Sequence, residues 1–165
     1  MLLLTTAAGV LVLDVVTKAV AVETLRPGHR VSLLGEGVSC LLIRNAGMAF
    51  SWGAGYPIHL ALLIGGLVGL VIALLGHAGM SHTAAVASGL LLGGATGNLA
   101  DRVFRAPGLL RGEGVDFVSI GWSPIFNAAD LCVILGVAVL AWQALAGPVT
   151  AKAVRRPADV DEYSF

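Results

Sequence analysis

Charge is what this sequence has least of. Between Asn45 and Ala100 there is no Asp, Glu, Lys or Arg, and between Leu131 and Ala151 there is none either. Charged residues make up 12% of the chain against 57% hydrophobic ones, about half the charged share usual in soluble domains. A soluble helix needs a wet face, so gaps of this length exclude an ordinary soluble fold and make lipid the solvent. The formal net charge is zero, which removes any general attraction to nucleic acid. Cysteines are few: Cys40 and Cys132 form neither a metal spacing nor a disulfide framework, and both read as free thiols outside any nucleophile signature. The N-terminus has no basic stretch ahead of its apolar run, and Asp14 and Lys18 interrupt that run. Although Ala19-Val20-Ala21 has the small-residue look of a cleavage site, a retained first helix is expected.

What is present is a set of four apolar segments, at about Leu2–Val22, Pro57–Leu75, Thr83–Ala100 and Asn127–Ala146. Each has roughly the 18 to 20 residues that cross about 30 Å of hydrocarbon. Helix is the expected form, because backbone polar groups in lipid must be satisfied within their own segment. The second and third segments are joined by the short polar bridge Gly76–His82 into a helical hairpin. Between the first and second, Val31–Leu34 and Val38–Phe50 are β-prone and punctuated by Gly35, Gly37 and the Asn45-Ala46-Gly47 turn. The expected fold is therefore an all-α membrane protein of four transmembrane helices with a small surface β element at about 31–52. Residues 1–147 form the membrane domain, and a charged tail occupies 148–165. The long loop Arg102–Phe126 is the second irregular region, and no internal repeat is evident.

Four spans put both termini on one side and both long loops on the other. The loops carry Arg26, Arg30, Arg44, Arg102, Arg105 and Arg111, while the other side carries Lys152, Arg155 and Arg156. Taken alone, the positive-inside rule then places the loops inside.

Ionisable groups at membrane depth are costly and point to function. Asp14 and Lys18, four apart, share a face of the first helix and could equally be a self-neutralising ion pair. Asn98, Asp101 and Arg102 stack along one face at the end of the third, after the small residues Gly93, Gly94, Ala95 and Gly97, which suit close helix packing. Asp116 lies in the second long loop, and Asp130 follows Asn127 at the start of the fourth helix. Taken singly, these are a turn residue and a helix-terminus carboxylate. Taken together, parity gathers Asn45, Asn98, Asp101, Arg102, Asp116, Asn127 and Asp130 at one membrane face. Two carboxylates with amide and guanidinium neighbours suit acid–base chemistry. Ser119 and Ser123 have no nearby histidine, and His29, His59, His77 and His82 are scattered without a zinc spacing. A small transporter would instead spread its charges through membrane depth on several helices, and a scaffold would leave Asp116 and Asp130 without a common purpose.

The order Asp14-x-x-Thr17-Lys18, Asn45-Ala46-Gly47-Met48-Ala49-Phe50, Gly93 to Arg102, Val115-Asp116-Phe117 and Phe126-Asn127-Ala128-Ala129-Asp130 resembles the bacterial lipoprotein signal peptidase (signal peptidase II) family. The resemblance implies an aspartic endopeptidase of the bacterial inner membrane that removes the signal peptide from diacylglyceryl-modified prolipoproteins, cutting before the lipidated cysteine. By motif position it makes Asp116 and Asp130 the catalytic pair. It makes Asp14, Lys18, Asn45, Gly47, Asn98, Asp101, Arg102 and Asn127 supporting or substrate-binding residues. It implies no metal and no cofactor, lipidated prolipoproteins and membrane lipids as partners, cytoplasmic termini, and an active site toward the extracytoplasmic face, against the arginine count.

Overall fold

The computed structural model describes residues 1–35, 37–48, 52–75 and 80–146. The expected tail at 148–165 lies outside the described residues. The elements run α1 (Leu2–Thr24), β1 (Val31–Leu34), β2 (Val38–Asn45), α2 (Pro57–Leu75), α3 (His82–Phe104), β3 (Gly114–Ile120) and α4 (Ala128–Leu145). The helices coincide with the four apolar runs of the sequence. Two of them, α1 and α4, are long and apolar enough to cross a membrane, with mean hydropathies of 1.8 and 2.0. At 1.5 Å per residue they measure roughly 34 and 27 Å.

The helices are inside-out by the standards of a soluble protein. Leu4, Val12, Val16 and Val20 of α1, Leu62, Leu67 and Leu70 of α2, and Ile134 and Val137 of α4 are exposed, whereas Asp14 and Lys18 are fully buried. The bundle packs around α3, which contacts α1, α2 and α4. Glycines set the close approach. A Cβ on Gly89 would stand 2.6 Å from Thr6 Cβ, one on Gly93 2.6 Å from the Ala7 carbonyl, and one on Gly97 2.5 Å from Asp14 Oδ2. The 89–93–97 seam thus meets α1 at 6, 7 and 14 in the same order, so α1 and α3 run parallel. On the other flank Gly94 meets Ala129 while Gly136 of α4 meets Ala87, so α3 and α4 run antiparallel. Small residues bring helices close where no hydrophobic effect drives them together.

The sheet differs from the expected surface hairpin. β1, β2 and β3 form one antiparallel sheet in the order β1-β2-β3, with the third strand supplied from the loop after α3. Asp116 therefore stands on a strand, not in a loop. In β3, Gly114–Ile120, the β-branched Val115 and Val118 suit extended backbone, and the chain had already been returned to the sheet by α3. Val38 pairs with Ile120 and Asn45 with Gly114, and a bulge sets Leu41 and Leu42 of β2 against Phe117. Val115 and Leu42 pack on Ala21 of α1, with Phe117, Val22 and Leu25 around them, so the sheet is seated on the C-terminal end of α1. The β-prone run expected to Phe50 ends as a strand at Asn45. The third helix continues past the expected Ala100 to Phe104, placing Asp101 and Arg102 on its last turn.

Candidate active site

The parallel run of α1 and α3, the reversed run of α4 and the seat of the sheet bring one set of helix ends and one set of strand ends together. Asp116, on β3, is buried. Asn45 Nδ2 donates to its Oδ2 at 3.0 Å and Asn127 Nδ2 to its Oδ1 at 2.7 Å. Neither amide is free to turn over. Asn45 Oδ1 accepts the Gly47 N–H at 2.9 Å, and Asn127 Oδ1 accepts the Asp130 N–H at 3.0 Å, so each presents its donor to Asp116. Burial, and then the neighbouring Asp130 carboxylate, raise the Asp116 pKa above the ordinary carboxyl value, partly opposed by these two donors.

Asp130 is half-buried in the first turn of α4, where free helix N–H groups favour negative charge. It forms a capping box with Asn127, accepting the Asn127 N–H on Oδ2 at 3.1 Å. Its Oδ1 accepts Asn98 Nδ2 at 2.7 Å. One residue, Asn127, therefore holds both carboxylates, Asp116 by its side chain and Asp130 by its backbone.

Behind this pair lies a buried ionic cluster. Lys18 Nζ donates to Asp14 Oδ2 at 2.6 Å and to Asn98 Oδ1 at 3.2 Å, and pairs with Asp101 Oδ2 at 2.7 Å. The pair is no self-contained surface bridge, since Lys18 ties α1 to α3. A cation on Asn98 Oδ1 leaves only the Nδ2 side of that amide to face Asp130. Asp14 Oδ1 accepts the Ala129 N–H at 3.1 Å, fixing the start of α4 to α1. Asp101 also accepts from Arg105 Nε and receives the Val115 N–H at 3.4 Å. Arg102 is buried, donates through Nη2 to the Gly47 carbonyl, and packs over Gly114. Its Nε and Nη1 have no hydrogen-bond partner among the described residues.

The ten residues assigned to the site from the sequence fall into two touching networks and one pair beside them. Asn45, Asn98, Asp116, Asn127 and Asp130 form the network around the two carboxylates. Asp14, Lys18 and Asp101 form the one behind it, and Arg102 with Gly47 lies alongside. Arg105 and the Ala129 N–H were not foreseen. The four-residue spacing of Asp101 and Arg105 signalled the first, whereas no sequence signal marks a backbone donor across 115 positions. Cys40 and Cys132 are free. His59 meets the Tyr56 ring edge-on.

Comparisons with known proteins bear on the family of the chain. The family model described as Signal peptidase (SPase) II matches residues 6–146. A lipoprotein signal peptidase of Mycolicibacterium smegmatis is 51% identical over 88% of this chain and 62% of its own length. One from Mycobacterium leprae is 47% identical over 97% of this chain and 79% of its own. One from Rhodococcus jostii is 44% identical over 89% and 74%. The chain therefore spans a little under two thirds of the first of these relatives and about three quarters of the others. Among solved structures, a bacterial membrane enzyme determined by the in meso method at 2.3 Å superposes with a TM-score of 0.80 at 26% identity, covering 94% of this chain and 93% of that one. A second, at 1.9 Å, gives 0.71 at 28% identity over 88% and 94%. Sequence, fold and the order of the motifs converge: the chain belongs to the signal peptidase II family.

Proposed function

We propose that this protein is an aspartic endopeptidase that removes the signal peptide from diacylglyceryl-modified prolipoproteins, cleaving before the lipidated cysteine, with Asp116 and Asp130 as its catalytic pair. The observation that carries the assignment is Asn127, which hydrogen-bonds both carboxylates at once. Two carboxyl groups held this close share one proton. Asp116, whose pKa is raised by burial, holds it. Asp130 takes a proton from water, the water oxygen attacks the scissile carbonyl carbon, and Asp116 donates its proton to the carbonyl oxygen. Collapse of the tetrahedral intermediate returns that proton, and the leaving amide nitrogen receives one from Asp130. The mechanism involves no acyl-enzyme. Arg102 offers guanidinium N–H groups toward the substrate backbone. Asn45, Asn98 and Asn127 orient the carboxylates, Gly47 holds Arg102, and Asp14, Lys18 and Asp101 fix the helices that carry them.

In this reading α1 to α4 all span the bacterial inner membrane. Residues 1–147 form the peptidase domain and 148–165 a cytoplasmic tail. Both termini are cytoplasmic, and the sheet with its site lies on the extracytoplasmic face at headgroup level. Membrane lipids surround the bundle and hold enzyme and lipidated substrate in one plane, which helps to position the reacting groups. The argument for this orientation is the family resemblance, set against the arginine count.

The test is turnover of a purified, lipidated prolipoprotein. Asp116→Asn and Asp130→Asn are each expected to insert in the membrane and lose nearly all cleavage, with the double variant little worse than either single, as for residues that act as a unit. Substantial turnover by either single variant would exclude the two-aspartate mechanism.

A further inference from the structure

Outside these two networks, the described residues hold a further cluster of convergent polar donors. The Arg30 guanidinium reaches over the sheet from the turn that follows α1. Its Nη1 donates to Ser39 Oγ at 2.8 Å and to Ser119 Oγ at 3.3 Å. Ser39 on β2 and Ser119 on β3 are direct cross-strand partners, and both are buried, at 3% and 2% exposure. Each hydroxyl accepts from Arg30, and among the described residues neither passes its own proton to an acceptor. A hydroxyl can donate one hydrogen bond while accepting others, and a guanidinium carries five N–H groups. A cation and two aligned hydroxyls with protons to give make a donor array for an anion.

Arg30 and Ser119 line a cavity of about 370 Å³ together with Ile43, Asn45, Trp122, Pro124 and Ile125, and Ser39 supports the guanidinium from outside that lining. Its setting selects the source of the anion. Trp122 in its wall is 95% exposed, and Val31, Leu33, Leu34 and Ile120 of β1 and the end of β3 are exposed as well. An arginine and an exposed indole in one cavity wall, on a sheet that also exposes aliphatic side chains, match the headgroup level of a bilayer, where indoles concentrate and arginine meets phosphate. The same cavity is walled by Asn45, whose amide donates to Asp116.

We propose that Arg30, Ser39 and Ser119 form a binding site for the phosphate of an anionic phospholipid, which docks the outer edge of the sheet on the membrane surface. The guanidinium provides charge and a planar fork for phosphate oxygens, the Ser119 hydroxyl donates from the cavity wall, Ser39 holds the guanidinium in place, and Trp122 lies along the acyl boundary. The proposal is independent of the peptidase reading, because binding is measured without substrate.

The test uses the full chain reconstituted in phosphatidylcholine vesicles, with spin-labelled phosphatidylglycerol or spin-labelled phosphatidylcholine as probe. The motionally restricted signal reports lipid held at the protein. Wild type is expected to prefer the anionic probe. Arg30→Gln should reduce that preference by roughly tenfold, the loss expected for a charge-assisted hydrogen bond. Arg30→Lys should keep part of it, because the charge remains while the fork is lost, and Ser39→Ala with Ser119→Ala should weaken it without abolishing it. An unchanged preference in Arg30→Gln would overturn the site. A separate titration of detergent-solubilised protein with inorganic phosphate distinguishes the source of the anion. Arg30-dependent binding of free phosphate, with no preference for the anionic lipid in vesicles, would overturn the lipid assignment.

Discussion

At the residue scale the decisive feature is that the amides around Asp116 cannot reorient. Asn45 and Asn127 each have their carbonyl oxygen tied to a backbone N–H, so both turn donors toward the carboxyl oxygens. Replacing Asn127 with Ala removes one donor from Asp116 and the side-chain half of the α4 cap. Asp116 becomes charged as it gives its proton to the carbonyl oxygen, and a hydrogen bond to a charged group is worth about 1.5–3 kcal/mol, so cleavage is expected to fall by roughly tenfold or more, measured as initial rate on a lipidated prolipoprotein at matched expression. The raised Asp116 pKa has two consequences with a defined sign. The folded protein holds this proton more tightly than the unfolded chain. Between the ordinary carboxyl value of about 3.9 and the raised folded value, the native state therefore binds more protons, and stability falls as pH rises through that window. Thermal unfolding in detergent should show this slope, and Asp116→Asn should flatten it. Cleavage should follow a bell-shaped pH profile belonging to the pair, with an alkaline limb as Asp116 loses its proton. Lys18 makes the opposite kind of prediction. It neutralises Asp14 and Asp101 in a buried cluster, and Lys18→Met strands Asp14 without a cation while Asp101 keeps Arg105, at a cost of about 3–5 kcal/mol. If the variant melted within a degree of wild type, the cluster would not be a structural tie.

At the element scale the helices owe their arrangement to glycine contacts as much as to apolar surface. Gly97 lets α3 approach until Asp14 Oδ2 lies 2.5 Å from where a methyl would stand. Gly97→Ala must push Asp14 and Lys18 away from Asn98, and overpacking of this kind costs about 1–3 kcal/mol. The change should depress both melting temperature and cleavage. Gly66→Ala on α2, with nothing within 4 Å, is the matched control and should leave both intact. The same contacts explain what could be read from the sequence. Four apolar runs gave four helices, and parity placed Asn98, Asp101, Asp116 and Asp130 at one end, because lipid exposure and backbone hydrogen bonding leave a membrane helix few options. The third strand was not legible. Val115 to Ile120 is a short β-prone stretch inside a Gly- and Pro-rich loop, and its partner β2 lies some 70 positions back. Pairing at that separation is decided by tertiary closure, which a local pattern does not encode. Ser39 and Ser119 were opaque for the same reason, since only the sheet register makes them neighbours.

At the scale of the whole molecule the orientation in the bilayer is the open test. Reporter fusions at Gly79 and after the C-terminus are expected to read cytoplasmic and one at Gly108 extracytoplasmic. The reverse pattern would remove the proposed role in export-side processing. The capping box at the head of α4 carries a further consequence. Asp130 is at once the N3 residue that starts the helix and the proposed base, while Asp116 rides on a sheet seated at the surface. A rod about 27 Å long leans when the hydrocarbon around it is thinner than itself, and a lean in α4 becomes a displacement between two reacting oxygens. The site then works as a thickness gauge. In vesicles of graded acyl-chain length the cleavage rate should pass through a maximum, and the bilayer at that maximum should be the one whose hydrocarbon depth matches α4.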